Sequence, residues 1–439
     1  MNKNIVIPVV VLAGVFLVFA AYIAWENEKD PTLEDKVTNF IEKMDDGKYS
    51  ECYEEMSDVM KSTLSVENFP IIWEIFMNGL GDLKKIEDIT LTEMTNSVIS
   101  DSKCLFEYGG KRIRVVFNND EKVSGLSFYD YSPRDADPLP GGLKETDVML
   151  NTGTQWELKG KVTSRTDSDH KVAVVIAHGS GAHDMDLSIG MNKVYRDLAW
   201  GIAENGIDVL RYDNRAFVYP TSAFGSTFTV KEETIDDVIA ATKLLKSEGY
   251  EKVFLIGHSL GGMLAPRIVS ESNGAIDGFV AMAGSPRTLV EIMIDQVTDV
   301  VTSIAELEFI NAEKAKYADM KNWDNTKLTS TTIFGRPAYY LKEMESKSAG
   351  NYARSLNVPM LFIQGSEDFQ VLADKDFKEW KNILSGRSNV EFIQYEGLNH
   401  MFAESKGYGI SESEKEYYPR NDMSADVIKD IAEFIKKNT

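Results

Sequence analysis

From Ile5 to Trp25 the chain is apolar and carries no charge, which is long enough for a helix across a bilayer, since that takes about 20 residues. The pattern predicts a transmembrane segment within residues 1–30. A cleaved signal peptide is the rival, with a shorter apolar core and a small-residue cleavage site. No convincing A-x-A site precedes Trp25, which favours an uncleaved anchor. Lys3 and the terminal amine precede the run and Glu26, Glu28 and Asp30 follow it, so the positive-inside preference leaves the amino end in the cytoplasm and the remainder outside.

Residues 31–130 change period. Leu33 to Met44, Tyr49 to Leu64 and Asn68 to Leu80 space their apolar residues by three and four, as helices do. Asp88 to Ile99, Lys103 to Tyr108, Arg112 to Phe117 and Lys122 to Tyr129 then read as strands, separated by Gly109-Gly110 and Asn118-Asn119-Asp120. The expectation is a small α+β domain with an antiparallel meander and a core including Trp73, Phe76, Phe106 and Phe117. This order of elements resembles the cone-shaped domains of the nuclear-transport-factor-like superfamily, in particular the uncharacterised module found ahead of bacterial hydrolases.

Residues 131–143, YSPRDADPLPGGL, concentrate Pro and Gly and read as a linker. Beyond it, in residues 144–439, short apolar runs alternate with helical periods: Val172 to Ala177, Val209 to Tyr212, Val253 to Ile256, Gly278 to Met282, Pro359 to Gln364 and Val390 to Ile393. That alternation predicts an α/β domain with a mostly parallel sheet and helices on both faces. Thr229 and Glu232 form a capping-box pair ahead of one helix, and Val427, Ile428, Ile431, Phe434 and Ile435 make the apolar stripe of the last. Residues 285–356 break the rhythm with charged, helical sequence and read as a lid insertion, whose Phe309, Trp323, Phe334, Tyr339 and Tyr340 are candidates either to line a pocket or to form the lid's own core.

Composition narrows the chemistry. Lys plus Arg number 47 against 69 Asp plus Glu, a formal charge of −22, which repels phosphate backbones and makes nucleic acid a poor partner. The two cysteines, Cys52 and Cys104, sit in no Cys-x-x-Cys or His/Cys cluster, and either one bridge or two buried thiols would fit. His178, His183, Asp184 and Asp186 share one loop, a pattern more often solvated or structural than metal-ligating. Neither a metal nor a cofactor is expected.

The specific signal is VFLIGHSLGGMLA, residues 253–265, where Gly257-His258-Ser259-Leu260-Gly261 joins a buried strand to a helix. A serine on so sharp a turn needs small neighbours, because its backbone is crowded, and the helix start points free N–H groups at developing negative charge. A serine hydroxyl needs a base, and histidine has the suitable pKa. Of the five histidines only His400 lies beyond the serine and its motif, and the chain order Ser, acid, His selects it. The acid falls in Gly365-Ser366-Glu367-Asp368 after an apolar run; Asp368 is the choice, with Glu367 and Asp374 as rivals. Two backbone N–H groups are required for the oxyanion, and Leu260 and Ser180, the latter in His178-Gly179-Ser180-Gly181, fit that role.

With the HGSG loop, the RYDNR segment Arg211 to Arg215, the GHSLGG elbow, the GSED loop and the LNH loop, the domain resembles bacterial α/β-hydrolases over roughly Lys144 to Thr439. It departs from them at Ala216, where a glycine commonly follows the arginine, which puts the shape of that loop in question. The resemblance implies an α/β-hydrolase fold and a Ser259–His400–Asp368 triad, and its lineages include carboxylesterases, acyl-thioester hydrolases and serine aminopeptidases. The expected function is a membrane-anchored, extracytoplasmic hydrolase of small acyl esters; the contrasting reading is an inactive binding protein of the cell envelope.

Overall fold

In the computed structural model, which describes residues 31–219 and 225–439, the chain divides between Tyr131 and Ser132 into two compact units. The run Ile5 to Trp25 lies outside the described residues, and among those no helix is long and apolar enough to cross a membrane.

In the first unit, helix Leu33–Asp45 starts at a reciprocal cap in which Thr32 and Asp35 serve each other's N–H groups. It buries Val37, Phe40, Ile41 and Met44, the i, i+3, i+4 and i+7 positions of a single face. The expected helix from Tyr49 to Leu64 is two, Tyr49–Glu55 and Asp58–Thr63. The break has a cause: Met56 is extended and bridges Val123, and the Ser57 N–H donates to the Val123 carbonyl at 2.8 Å while its side chain caps the next turn. Helix Phe69–Met77 follows, then strands β1 (Leu83–Met94), β2 (Ser97–Phe106), β3 (Gly110–Asn118) and β4 (Val123–Tyr131) in one antiparallel meander. The strand expected over Asp88 to Ile99 is thus cut by a tight turn at Thr95-Asn96, where Met94 pairs with Ser97. Trp73, Phe106 and Phe117 are in the core as expected, whereas Phe76 is 41% exposed and stacks on Phe128 with ring centres 4.7 Å apart. Cys52 and Cys104 are free, buried thiols.

The second unit opens on a segment more ordered than its Pro/Gly content suggests. Ser132 and Asp135 cap a short turn, Pro133–Ala136, and Arg134 is buried among Asp137, Asp197 and Asp422. The sheet contains β5 (Leu143–Leu150), β6 (Leu158–Arg165), β7 (Val172–Ala177), β8 (Asp208–Tyr212), β9 (Lys252–His258), β10 (Gly278–Met282), β11 (Met360–Gly365) and β12 (Val390–Tyr395). Their spatial order is β12-β11-β10-β9-β7-β8-β6-β5. β5, β6 and β8 pair antiparallel, and every pairing from β8 to β12 is parallel.

Burial on both faces explains the continuous apolar runs of the parallel strands. In β7, Ala173, Val175 and Ala177 face one core, shared with helices Asp236–Ser247 and Leu260–Glu271 and the insertion. Val174 and Ile176 face the other, formed with helices Val194–Glu204 and Ala425–Lys437. Each fully buried Val or Ile there is worth about 1.5–3 kcal/mol. Residues 285–356 contain five helices, Leu289–Asp299, Ile304–Met320, Asn325–Ser330, Ala338–Glu345 and Ala349–Ser355, and a two-residue hairpin turn.

Candidate active site

Parallel strands end on the same edge, so residues that follow β7, β9, β11 and β12 meet there without being near in sequence. Ser259 comes directly after β9, and its φ of 56° with ψ of −116° is a conformation that costs a non-glycine residue about 1–3 kcal/mol. Crowding enforces it. A Cβ on Gly257 would lie 2.2 Å from the Gly261 carbonyl oxygen, and one on Gly261 would lie 2.4 Å from that of Ala177. The Ser259 N–H donates to the Met282 carbonyl of the neighbouring strand at 2.8 Å.

After β11, the Asp368 carboxylate is buried and fully used. Its Oδ1 accepts from the Gln370 and Val371 backbone N–H groups (2.8 and 2.9 Å), and its Oδ2 from Gln364 Nε2 and His400 Nδ1 (both 2.7 Å). His400 therefore carries its proton on Nδ1 toward the carboxylate, which leaves the Nε2 lone pair to act as a base. His400 and Ser259 line the same cavity, of about 490 Å³, with Ser180, Leu260, Met263 and Ile292. The rivals stand apart: Glu367 and Asp374 are solvent-exposed.

The HGSG loop lies against the serine, since a Cβ on Gly179 would sit 3.3 Å from Ser259 Cβ. The two candidate oxyanion donors line the same cavity, Leu260 opening the helix after the serine and Ser180 in the loop. The loop is held from behind by a contact that no motif signals. The Gly179 N–H donates to the Tyr195 hydroxyl at 3.2 Å, and that hydroxyl donates to His258 Nδ1 at 3.2 Å. His258 Nε2–H donates in turn to the His400 carbonyl at 2.9 Å. Burial, reinforced by neighbouring histidines, lowers the His258 pKa to about 3 and keeps it neutral, as this relay requires. His178, likewise lowered to about 3 by burial, donates from Nε2 to the Tyr212 carbonyl at 2.6 Å.

RYDNR belongs to the same scaffold. Arg211 is buried between Glu145 and Asp186, Asn214 donates to the Gly181 carbonyl and accepts from the His183 N–H, and Arg215 pairs with the buried Asp237. Ala216 is buried within a short helix, Arg215–Val218. His183 donates to the Ser180 carbonyl (2.7 Å) and Asp184 accepts from Ser188, so the acidic and imidazole groups of this loop are spent on holding it. Among the described residues no cluster of three metal-binding side chains occurs. The five aromatics of the insertion are not among the residues lining the cavity that holds Ser259. Phe309 and Phe334 pack edge to face, Tyr340 is buried against Glu233, and Leu289, Ile292 and Met293 line the cavity in their place.

This fold and this edge define a serine hydrolase of the α/β-hydrolase class. A protein-family model described as serine aminopeptidase, S33, matches residues 168–406, and the chain belongs to that family. A second, described as a protein of unknown function (DUF3887), matches residues 37–126. Over 408 residues, 91% of this chain and 94% of the relative, the sequence is 31% identical to esterase EstD of Thermotoga maritima. Among solved structures, an esterase of Pyrococcus furiosus covers 70% of this chain and 94% of its own at 19% identity and a TM-score of 0.41. Est1E of Butyrivibrio proteoclasticus covers 66% and 98% at 13% identity and a TM-score of 0.44. A puromycin-hydrolysing peptidase of Mycobacterium tuberculosis covers 81% of this chain and 48% of its own at 13% identity and a TM-score of 0.45.

Proposed function

We propose that the chain is a membrane-anchored, extracytoplasmic hydrolase of carboxylic esters acting through Ser259, His400 and Asp368. The observation that carries this reading is the buried His400–Asp368 pair, 2.7 Å apart, in one cavity with a serine on a strained strand-to-helix turn. Ser259 Oγ attacks the ester carbonyl as His400 Nε2 takes its proton, and the oxyanion is met by the Leu260 and Ser180 N–H groups. The alcohol leaves with the proton from His400, and a water, deprotonated by the same imidazole, releases the acid and restores the serine. The Thermotoga maritima relative bears the name esterase, which supports an ester as substrate.

The family description keeps an aminopeptidase as the second reading. Recognition of a peptide's terminal ammonium calls for a carboxylate, and no Asp or Glu is among the described residues lining the cavity. The test is a panel of p-nitrophenyl acyl esters and aminoacyl p-nitroanilides with the full chain and a Ser259→Ala control. Ester turnover lost in the control supports the proposal, and anilide turnover without ester turnover sinks it. The anchor and its orientation rest on Ile5 to Trp25 and the flanking charges; a wild-type chain released from membranes by salt alone would remove that part.

A further inference from the structure

The insertion's contribution to the cavity is not wholly apolar. Arg336 lines the same cavity as Ser259 and His400. Other arginines at this end of the unit are matched: Arg287 pairs with Asp376 and Asp295, and Arg267 with Glu271 and Glu343. Apart from its backbone pairing with Ile333, Arg336 has no hydrogen bond or ion pair from its guanidinium among the described residues. Among the described residues the one carboxyl its charge acts on is the buried Glu233, which accepts from the Tyr340 hydroxyl: burial raises the Glu233 pKa, while Tyr340 and the more distant Arg336 charge hold it down.

The position of Arg336 is also built. Ile333 pairs with Arg336 across Phe334 and Gly335, whose φ values are 47° and 75°. Positive φ at both central positions marks a type I′ hairpin turn, whose geometry is narrow. The Phe334 N–H is tied to the buried Glu313 carboxylate at 2.6 Å, and Pro337 follows directly. A phenylalanine held in the left-handed region and a buried carboxylate spent on its amide make this turn a rigid mount rather than a loose loop.

We propose that Arg336 selects the substrate: the preferred esters carry a free carboxylate, which docks on its guanidinium while Leu289, Ile292 and Met293 cover the intervening methylenes. The inference rests on the hydrolase reading above and names its substrate class. A guanidinium fork matches a carboxylate in two parallel hydrogen bonds, and it keeps its charge at any working pH. The chain's charge of −22 does not oppose this, because exposed charges are screened over about 8 Å at physiological salt while a cation inside the cavity acts at contact.

The experiment compares kcat/KM of the full chain for mono-p-nitrophenyl glutarate, adipate and suberate with that for neutral p-nitrophenyl esters of matched length. A second arm places the carboxylate on the alcohol, using butyrate esters of 4-hydroxybenzoate and of phenol. In at least one arm the wild type should favour the anionic ester, and Arg336→Gln should lower the anionic-to-neutral ratio about 10- to 100-fold. Arg336→Lys should restore part of the ratio, since it keeps charge but loses the fork. A ratio equal in wild type and Arg336→Gln in both arms, with the variant folded by circular dichroism, overturns the proposal. Calorimetry of monomethyl adipate on Ser259→Ala, with and without Arg336→Gln, reads the same contact without turnover. Binding that depends on Arg336 in a chain that hydrolyses no ester would support the anion site while removing the hydrolase reading. Binding indifferent to Arg336 would count against the anion site.

Discussion

The hydrolase unit contains two histidine–aspartate pairs that look alike as pairs. His400 Nδ1 meets Asp368 at 2.7 Å, and His170 Nδ1 meets Asp208 at 2.5 Å. Both carboxylates are buried and both are fully hydrogen-bonded: Asp208 also accepts from Ser168 and from the Tyr250 hydroxyl. What differs is the end of the sheet. Asp208 begins β8 and His170 precedes β7, whereas Asp368 and His400 follow β11 and β12, on the edge where β9 delivers Ser259. The pair at the strand starts has a partly exposed imidazole and ties a loop to the sheet. A carboxylate that orients an imidazole is thus a common structural device, and it becomes chemistry only where the free Nε2 shares a cavity with a nucleophile.

The sharpest way to break this comparison is to remove each histidine. His400→Ala and Ser259→Ala should each lower kcat/KM by at least about ten-thousand-fold, while His170→Ala should alter it by less than about threefold and show its effect in the melting temperature. Comparable losses at His170 and His400 would mean that position on the sheet does not separate them. Next come the carboxylates. Asp368→Asn should lower kcat about a thousand- to ten-thousand-fold by freeing the imidazole tautomer, and Asp208→Asn should leave kcat alone while costing about 1–3 kcal/mol in urea unfolding.

A smaller effect is expected from Tyr195→Phe. The Gly179 N–H and His258 Nδ1 would lose their shared partner, so the HGSG loop should loosen, kcat should fall about tenfold and stability by about 1–3 kcal/mol. Unchanged kcat would show that Asn214 and His183 suffice to hold the loop.

A last effect, comparable to the stability loss in Tyr195→Phe, is on pH-dependent stability. His258 and His178 protonate near 3 in the folded chain, against about 6.5 when unfolded. Between those values the unfolded state binds protons that the folded state refuses, so stability rises with pH, by about 1.4 kcal/mol per unit for each histidine. It is fully present above the unfolded value and is lost as pH falls toward 3. Urea unfolding at pH 4.5 and 6 should show a gap that shrinks by one histidine's share in His258→Asn. An undiminished gap would mean that His258 titrates normally.

Much of the site was legible because its parts are short and sit at strand ends. VFLIGHSLGG, GSED and LNH each follow an apolar run, and turn residues after a buried strand have few other reasons to be there. The parallel strands were legible for the same cause, being apolar on both faces. Three features escaped. β5 and β6 carry mixed, charged sequence such as Lys144, Glu145 and Lys159, because one face of this antiparallel edge meets solvent, so no apolar run announces them. The turn at Thr95-Asn96 lacks the glycine that would mark it. Tyr195 and Arg336 lie far from the serine in sequence, and only the folded chain brings their polar ends to the site. Phe76 is expected in the core beside Trp73, yet this nine-residue helix buries one stripe, Phe69, Trp73 and Met77.

The two native thiols offer a practical consequence. Cys52 and Cys104 are fully buried, and their thiols are pushed up to about 12, mainly by burial. At neutral pH almost none of either is thiolate, the form that alkylating reagents attack. A cysteine introduced at an exposed position of the insertion such as Leu307 would therefore take a maleimide dye or spin label in the otherwise unaltered chain. The protein comes prepared for spectroscopy of its insertion, with no reactive native thiol to engineer away.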